Sequence, residues 1–400
     1  MLSHERTSLG FVEFISIMAL MIALTALSID AMLPALTEIG RDLKVSNTND
    51  TQLVISVIFL GTAVGQLACG PLSDSYGRKP LVFAGITIFI IGSLLCIFAS
   101  EFSWMLWGRL LQGVGLGAPR VISTAIIRDL YQGREMARVM SYVMTIFILV
   151  PVLAPALGQL ILFVASWRMI FTMLLIMALL VLCWFMIRQP ETLPPTQRAQ
   201  FSAQQLINSV SRVLRNPVTL GYTITAGLVS GPFVAFLSSI QQILQQQYGL
   251  GTLFPLFFAG LSIAVGSASL LNARLVMRIG MRSMARRALI TMSTAVLIYG
   301  VIASYSHGHP PLWSFMLFLS TILFCTGILF GNLNALAMEP LGKIAGVGAA
   351  ITSSLATFIS VPIGMFIGLS YNGTVLPLIA GFGICSLTAI VTQHLTETRR

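Results

Sequence analysis

The sequence predicts an all-α polytopic membrane protein with twelve spanning helices in two pseudo-symmetric six-helix bundles, and three observations carry that prediction. The chain of 400 residues is 56% apolar and 9% charged, with a mean hydropathy of +0.89. That leaves too few polar side chains to cover a water-soluble particle of this size. Apolar stretches follow one another, each near the roughly 20 residues that cross a hydrocarbon core of about 30 Å. The cations, finally, are shared unequally between the segments that join those stretches.

The expected spans are 11–36, 51–70, 81–100, 103–127, 139–164, 168–188, 218–240, 252–273, 288–305, 311–337, 343–369 and 373–395. Most gaps are too short to hold a soluble domain. The first span is too long, and too closely followed by others, for a cleaved signal peptide.

A formal charge of +10 raises the question of nucleic acid, and the placement of the charge answers it. Of 23 Lys and Arg residues, 18 fall on one side of the predicted topology, among them Arg6, Arg78, Lys79, Lys343, Arg399 and Arg400. Only Arg41, Lys44 and Arg168 fall on the other, while Arg109 and Arg120 lie within the fourth span. Such asymmetry follows the positive-inside rule, so both termini are expected in the cytoplasm of a bacterial inner-membrane protein. No nucleic-acid partner is needed; the lipid bilayer is the partner.

Cys69, Cys96, Cys183, Cys325 and Cys385 are scattered through apolar spans and read as small packing residues. No metal site is expected. His307 and His309 share an external turn with Pro310 and Pro311, which reads as a solvated loop.

The longest polar interruption, rich in Pro, Gln and Arg, divides the chain into a first six-helix bundle (1–188), a cytoplasmic linker (189–217) and a second bundle (218–400). A faint repeat supports the division, since Gly77-Arg78-Lys79 follows the second span and Gly280-Met281-Arg282 follows the eighth. Six-helix halves related by an axis along the membrane normal, with a substrate site between them near the midplane, are a known transporter plan.

Among 13 carboxylates, Asp30 alone is placed deep inside a span. An ionisable group there costs at least about 2.5–3.5 kcal/mol on insertion scales and is by default a functional-site hypothesis. Asp30 and Arg109 are each expected about seven residues from the outer ends of their spans, hence at similar depth. The arginine would stabilise the carboxylate, or release it to take a proton. A purely structural ion pair is the competing reading. Arg120 either lines the cavity or pairs near the cytoplasmic end, and both readings stay open.

Between the second and third spans stands Gly70-Pro71-Leu72-Ser73-Asp74-Ser75-Tyr76-Gly77-Arg78-Lys79-Pro80. Gly77 permits a turn with positive φ, and Asp74 suits a helix N-terminus at the cytoplasmic face. In the fifth span Pro151 and Pro155 remove backbone donors and Gly158 admits a close neighbour, as do Gly113, Gly115 and Gly117 in the fourth.

The string from Gly70 to Pro80 resembles the cytoplasmic loop motif of the major facilitator superfamily. Arg109-Leu110-Leu111-Gln112-Gly113-Val114-Gly115 resembles the fourth-helix motif of that superfamily's drug/proton antiporters, and Ala154-Pro155-Ala156-Leu157-Gly158 a variant of their fifth-helix motif. Ser28 through Leu36, Trp167-Arg168, Pro190-Glu191-Thr192-Leu193, Asn332 through Pro340 and Ala345-Gly346 look like the bicyclomycin and chloramphenicol resistance subfamily. The fifth-helix motif departs at Ala154, where many antiporters have glycine, and at Gly158-Gln159, where they have two glycines.

The resemblance implies proton-coupled efflux of small drug-like molecules by alternating access, with Asp30 and Arg109 coupling the proton. Ser28, Asp30, Arg109, Gly113, Pro155, Asn332 and Asn334 are candidates to line the substrate cavity, and Gly70, Asp74, Gly77, Arg78 and Lys79 to form a cytoplasmic gate. No cofactor is expected, because the proton gradient drives transport and the chain has no phosphate-binding loop of the Gly-x-x-x-x-Gly-Lys-Ser/Thr type. A monomer is expected to suffice. Two alternatives are an exporter of a sugar or metabolite on the same fold, and a membrane-embedded enzyme. The second lacks a nucleophile, metal set or acid/base pair.

Overall fold

In the computed structural model, residues 9–198, 200 and 202–398 are described. Arg6, Arg399 and Arg400, assigned above to the cytoplasmic side, lie outside them. Among the described residues there is no strand. Fourteen α-helices follow in order: α1 (Phe11–Asp30), α2 (Leu36–Asp42), α3 (Leu53–Tyr76), α4 (Arg78–Ile97), α5 (Phe102–Leu130), α6 (Gly133–Val164), α7 (Arg168–Arg188), α8 (Ala203–Arg215), α9 (Pro217–Gln241), α10 (Phe254–Ile279), α11 (Met281–Tyr305), α12 (Leu312–Met338), α13 (Ala345–Leu369) and α14 (Leu376–Thr398). Twelve spans result, α1 and α2 forming the first and α8 none. Phe11 and Thr398 therefore share one face with α8, called here the linker side. The opposite face is the far side.

Local chemistry sets the helix ends. Asn216 caps α9 by accepting from the N–H groups of Val218 and Thr219, with Pro217 at the first helical position, where a missing N–H costs nothing. Gly77 (φ 102°) and Gly280 (φ 83°) make equivalent sharp turns, between α3 and α4 and between α10 and α11. The repeat seen in the sequence is thus a repeat of backbone geometry.

Packing follows residue size. Gly113 and Gly117 on α5 meet Gly61 and Gly65 on α3 so closely that a Cβ on Gly113 would fall 2.2 Å from the Ile58 carbonyl. Small residues four apart let two helix backbones touch, and dispersion replaces the hydrophobic effect as the source of association in lipid. Helices α1 and α9 are the most buried spans, whereas α11 turns Leu297, Ile298, Val301 and Ile302 outward. That outward row is what a hydrocarbon solvent selects.

Two expectations need correction. The first span does not stop at 36; it breaks after Asp30, makes a 3₁₀ turn over Leu33–Ala35 and continues to Asp42. The polar interruption also holds a helix, α8. Its Val210 and Val213 pack with Leu67 of α3, with Leu341 in the 3₁₀ turn before α13, and with Val347, Ile351 and Leu355 at the linker end of α13. Apolar residues at 206, 210 and 213 form one helical face, which water would not tolerate uncovered.

Candidate functional site

Asp30 ends α1, and the helix breaks there for a local reason. Pro34 has no N–H to offer the carbonyl four residues back, so the chain leaves the α-ladder and re-enters through a 3₁₀ turn. The exposed backbone of that break needs a neighbour that can come close. Gly158 supplies it, since a Cβ there would lie 1.8 Å from the Ala31 carbonyl and 3.3 Å from the Pro34 ring. Pro155, buried one turn earlier on α6, belongs to the same surface.

The Asp30 side chain is only 4% exposed. Among the described residues its carboxylate forms no hydrogen bond and no ion pair. Asp30 also lies deeper than expected, twelve residues before the end of its span at Asp42 instead of six before 36. An ionisable side chain buried inside a span without a partner is costly to keep there and marks a functional-site candidate.

Arg109 is wholly buried, and its donors are all engaged elsewhere than on Asp30. Nε donates to the Val54 carbonyl on α3 (2.9 Å), Nη1 to Gln112 Oε1 (2.7 Å) and Nη2 to the Ser28 carbonyl on α1 (3.1 Å). Gln112 passes the tie on, Nε2 donating to Ser93 Oγ of α4 at 2.8 Å, while the Phe171 ring of α7 lies 5.9 Å from the guanidinium carbon. One cation therefore fastens four helices and rests on a fifth. Among the described residues no direct ion pair joins the two charges; the contact observed runs through the backbone two residues before Asp30, to the Ser28 carbonyl. The Ser28 hydroxyl is spent on the Leu24 carbonyl.

The other cavity candidates sit as follows. Gly113 is at the α3–α5 crossing. Asn332 is 2% exposed and donates to Asn272 Oδ1 (2.7 Å), clamping α12 to α10. Asn334 is exposed on the linker-side half of α12.

On the linker side four of the five motif residues meet partners from distant parts of the chain, and the fifth, Asp74, pairs with Arg78 within the motif. Gly70 lies against Ala350 of α13. Arg78 bonds Asp74 one turn before it, Ser73 Oγ (2.8 Å), and Asp129 at the end of α5 (3.0 Å). Glu191 accepts from the N–H groups of Arg78 and Lys79 at 3.0 Å each, a carboxylate on the positive end of α4 made possible by the turn at Gly77. Thr192 donates to Asp129 (3.2 Å).

On the far side an entirely uncharged set joins the halves. Gln52 Nε2 donates to Gln242, whose own amide donates to the Thr48 carbonyl (3.0 Å). Gln241 reaches Thr37 (2.6 Å), Ser56 meets Ser238 (3.4 Å), and Asn49 donates to the carbonyls of Tyr371 (2.7 Å) and Leu369 (3.1 Å). A π-helical stretch over Gln242–Gln247 presents these amides at the end of α9. Sequence reasoning passed over this seal, although the cluster of glutamines from 241 to 247 signalled it.

Comparison with known proteins agrees with this architecture. The chain is 26% identical over 392 residues to a bicyclomycin resistance protein homolog of Haemophilus influenzae, covering 96% of each. It is 30% identical over 336 residues to the multidrug resistance protein MdtL of Citrobacter koseri, covering 81% of this chain and 80% of that one. A solved peptide transporter of the POT type superposes with a TM-score of 0.76 at 12% identity, over 98% of this chain and 96% of that chain, a likeness of fold alone. Residues 18–369 match the family description as one continuous region. With twelve spans, a break at a buried intramembrane acid and a match over most of its length, the chain belongs to the Major Facilitator Superfamily of membrane transporters.

Proposed function

We propose that this chain exports small drug-like molecules across the bacterial inner membrane in exchange for protons. Asp30 carries the proton, and the halves rock between two openings. The observation that carries the reading is Asp30 itself, a buried carboxylate at a helix break with no partner of its own among the described residues. The excess of Lys and Arg on the linker side supports a cytoplasmic linker and cytoplasmic termini.

In the cycle, opening to the periplasm hydrates Asp30 in an acidic medium and opening to the cytoplasm hydrates it in a more alkaline one. Protonated Asp30 is the form that tolerates the closed, dry state. Substrate bound beside Asp30 in the cytoplasm-open state displaces that proton, so each return carries one passenger. An inward gradient supplies about 2.3 kcal/mol per charge per 100 mV, plus about 1.4 kcal/mol per pH unit. Arg109 positions Asp30 by holding the Ser28 carbonyl. Relatives named for bicyclomycin and multidrug resistance support a drug-like substrate. The protein acts as a monomer in lipid and takes no cofactor.

The test uses inverted membrane vesicles energised by a pH gradient, with radiolabelled chloramphenicol as the probe. Wild type accumulates the label and loses it when the gradient is collapsed. Asp30→Asn reaches the membrane yet accumulates none above background. Gradient-driven accumulation by that variant at the wild-type rate would refute the assignment of the proton to Asp30.

A further inference from the structure

Arg120 is the second arginine of α5, and unlike Arg109 it has nothing to hold. Among the described residues it makes no hydrogen bond and no ion pair. It is also exposed, although it lies only four residues, about 6 Å, past the middle of a 29-residue helix. An arginine at that depth does not face lipid tails; it faces the bundle interior or water.

The neighbouring residues say which. Helices that face lipid expose Leu, Ile and Val, as α11 does with Leu297, Ile298, Val301 and Ile302. The linker-side half of α5 exposes no large apolar residue; its exposed positions are Arg120, Thr124 and Arg128, one helical turn apart each time. All else on that half is buried or half-buried. On α12, the corresponding helix of the second half, the linker-side half likewise exposes no large apolar residue, only Gly331, Asn334 and Ala335. The far side is meanwhile sealed by amides. A polar stripe therefore runs along α5 from the middle of the membrane to the linker side, and an arginine on it is placed for water and not for lipid.

We propose that Arg120 is a specificity-determining residue that binds the anionic group of the substrate, a carboxylate or sulfonate on an apolar body. This rests on the export reading given above and names the substrate class for it. An unpaired guanidinium in a half-dry cleft offers five donors in a planar fork that matches a carboxylate edge to edge. Cationic compounds entering from the linker side are repelled by it. Thr124 and Arg128 extend the same preference outward as a ramp. Export of a monoanion against an entering proton moves charge twice in the favourable sense, so the membrane potential adds to the pH gradient.

Equilibrium binding to the full chain in lipid nanodiscs, without any gradient, separates this proposal from proton coupling. The probes are chloramphenicol, which is neutral, and its succinate ester, which adds one carboxylate to the same body. Wild type binds the ester about tenfold more tightly than the parent, as one charge-assisted bidentate contact allows. Arg120→Gln loses that advantage while parent affinity stays within about twofold, and Arg120→Lys keeps part of it. Should Arg120→Gln not fold, Arg120→His gives the same answer through pH: the ester is preferred at about pH 5.5 and not at pH 8, since an unperturbed imidazole titrates near 6.5. No preference in wild type, including binding of neither probe, overturns the proposal, as does a preference that survives Arg120→Gln. Loss of gradient-driven transport with the preference intact would instead remove the export reading alone.

Discussion

The two ends of the molecule are held together by opposite chemistries. On the linker side Arg78 gathers Asp74 and Asp129 while Glu191 caps α4. On the far side, amides and hydroxyls do the joining, and no charged side chain takes part among the contacts described. The difference lies in what each set connects. The charged cluster ties α3, α4, α5 and the start of the linker, all within the first half, so it stiffens one body. The amide set ties α2 and α3 to α9 and α13, across the two halves, and must come apart for the far side to open. Neutral hydrogen bonds have a net worth of about 0.5–1.5 kcal/mol each, because water offers equivalents when they break. A reversible seam is better made of those.

The largest effect should come from Arg78→Ala. Its side chain is 5% exposed and that of Asp129 is 17%, so removing the cation leaves a carboxylate buried without its counter-charge. A loss of about 3 kcal/mol is expected, at the low end for breaking a buried pair, seen as a lower thermal midpoint in detergent. An unchanged midpoint would mean that the cluster does not stiffen the first half. Asp74, at 37% exposure, is screened by water, and Asp74→Asn should cost far less.

Next in size is the seam. Gln242→Leu orphans the Gln52 amide, takes from the Thr48 carbonyl one of its two donors, and should disfavour the closed far side by about 1–3 kcal/mol. Because 1.4 kcal/mol is tenfold in population, spin labels at exposed Ser46 and Asn372 should report a longer distance in much of the sample. Replacing Gln52 and Gln242 together by Met should recover most of the wild-type distribution, since no amide is then left unpaired. A double variant as open as the single one would show that the amides hold by shape and not by hydrogen bonding.

Salt gives a smaller, sharper contrast. Raising ionic strength from about 0.1 M to about 1 M shortens the Debye length from about 10 Å to about 3 Å. The midpoint of wild type should fall slightly and that of Arg78→Ala should not, while the Ser46–Asn372 distance stays put in both. Smallest of all is Ser56→Ala, which removes one 3.4 Å contact and should shift the distance distribution by less than about 0.5 kcal/mol.

Hydropathy made the twelve spans legible, and charge placement separated the two faces. The partners in the site were legible only in part. Arg109 was readable as an intramembrane cation, but its partners at Ser28 and Val54 are carbonyls, and a carbonyl looks the same in every residue. Arg78 and Glu191 both stood in motifs that the sequence singled out, yet their contacts span 51 and 113 residues and follow from topology alone. The periodic face of α8 was present in the sequence and was masked by the surrounding Pro, Gln and Arg, which read as loop. Pro34 announced the break in the first span; only the approach of Gly158 shows what the break is for.

The linker has an anatomical consequence. Its first residues, Glu191 and Thr192, are fastened to α4 and α5, whereas Val210 and Val213 are docked mainly on residues of the second half. Arg198 is tied back to the Leu193 carbonyl and to Glu191, so the covalent reach between Arg198 and Ala203 is at most roughly 18 Å when drawn straight. The natural seam for dividing the polypeptide is therefore there and not at Pro217, where helical hydropathy resumes. Two fragments parted within that stretch would each keep their own share of the connector, and should reassemble in the membrane where fragments parted at Pro217 would leave α8 on the wrong piece.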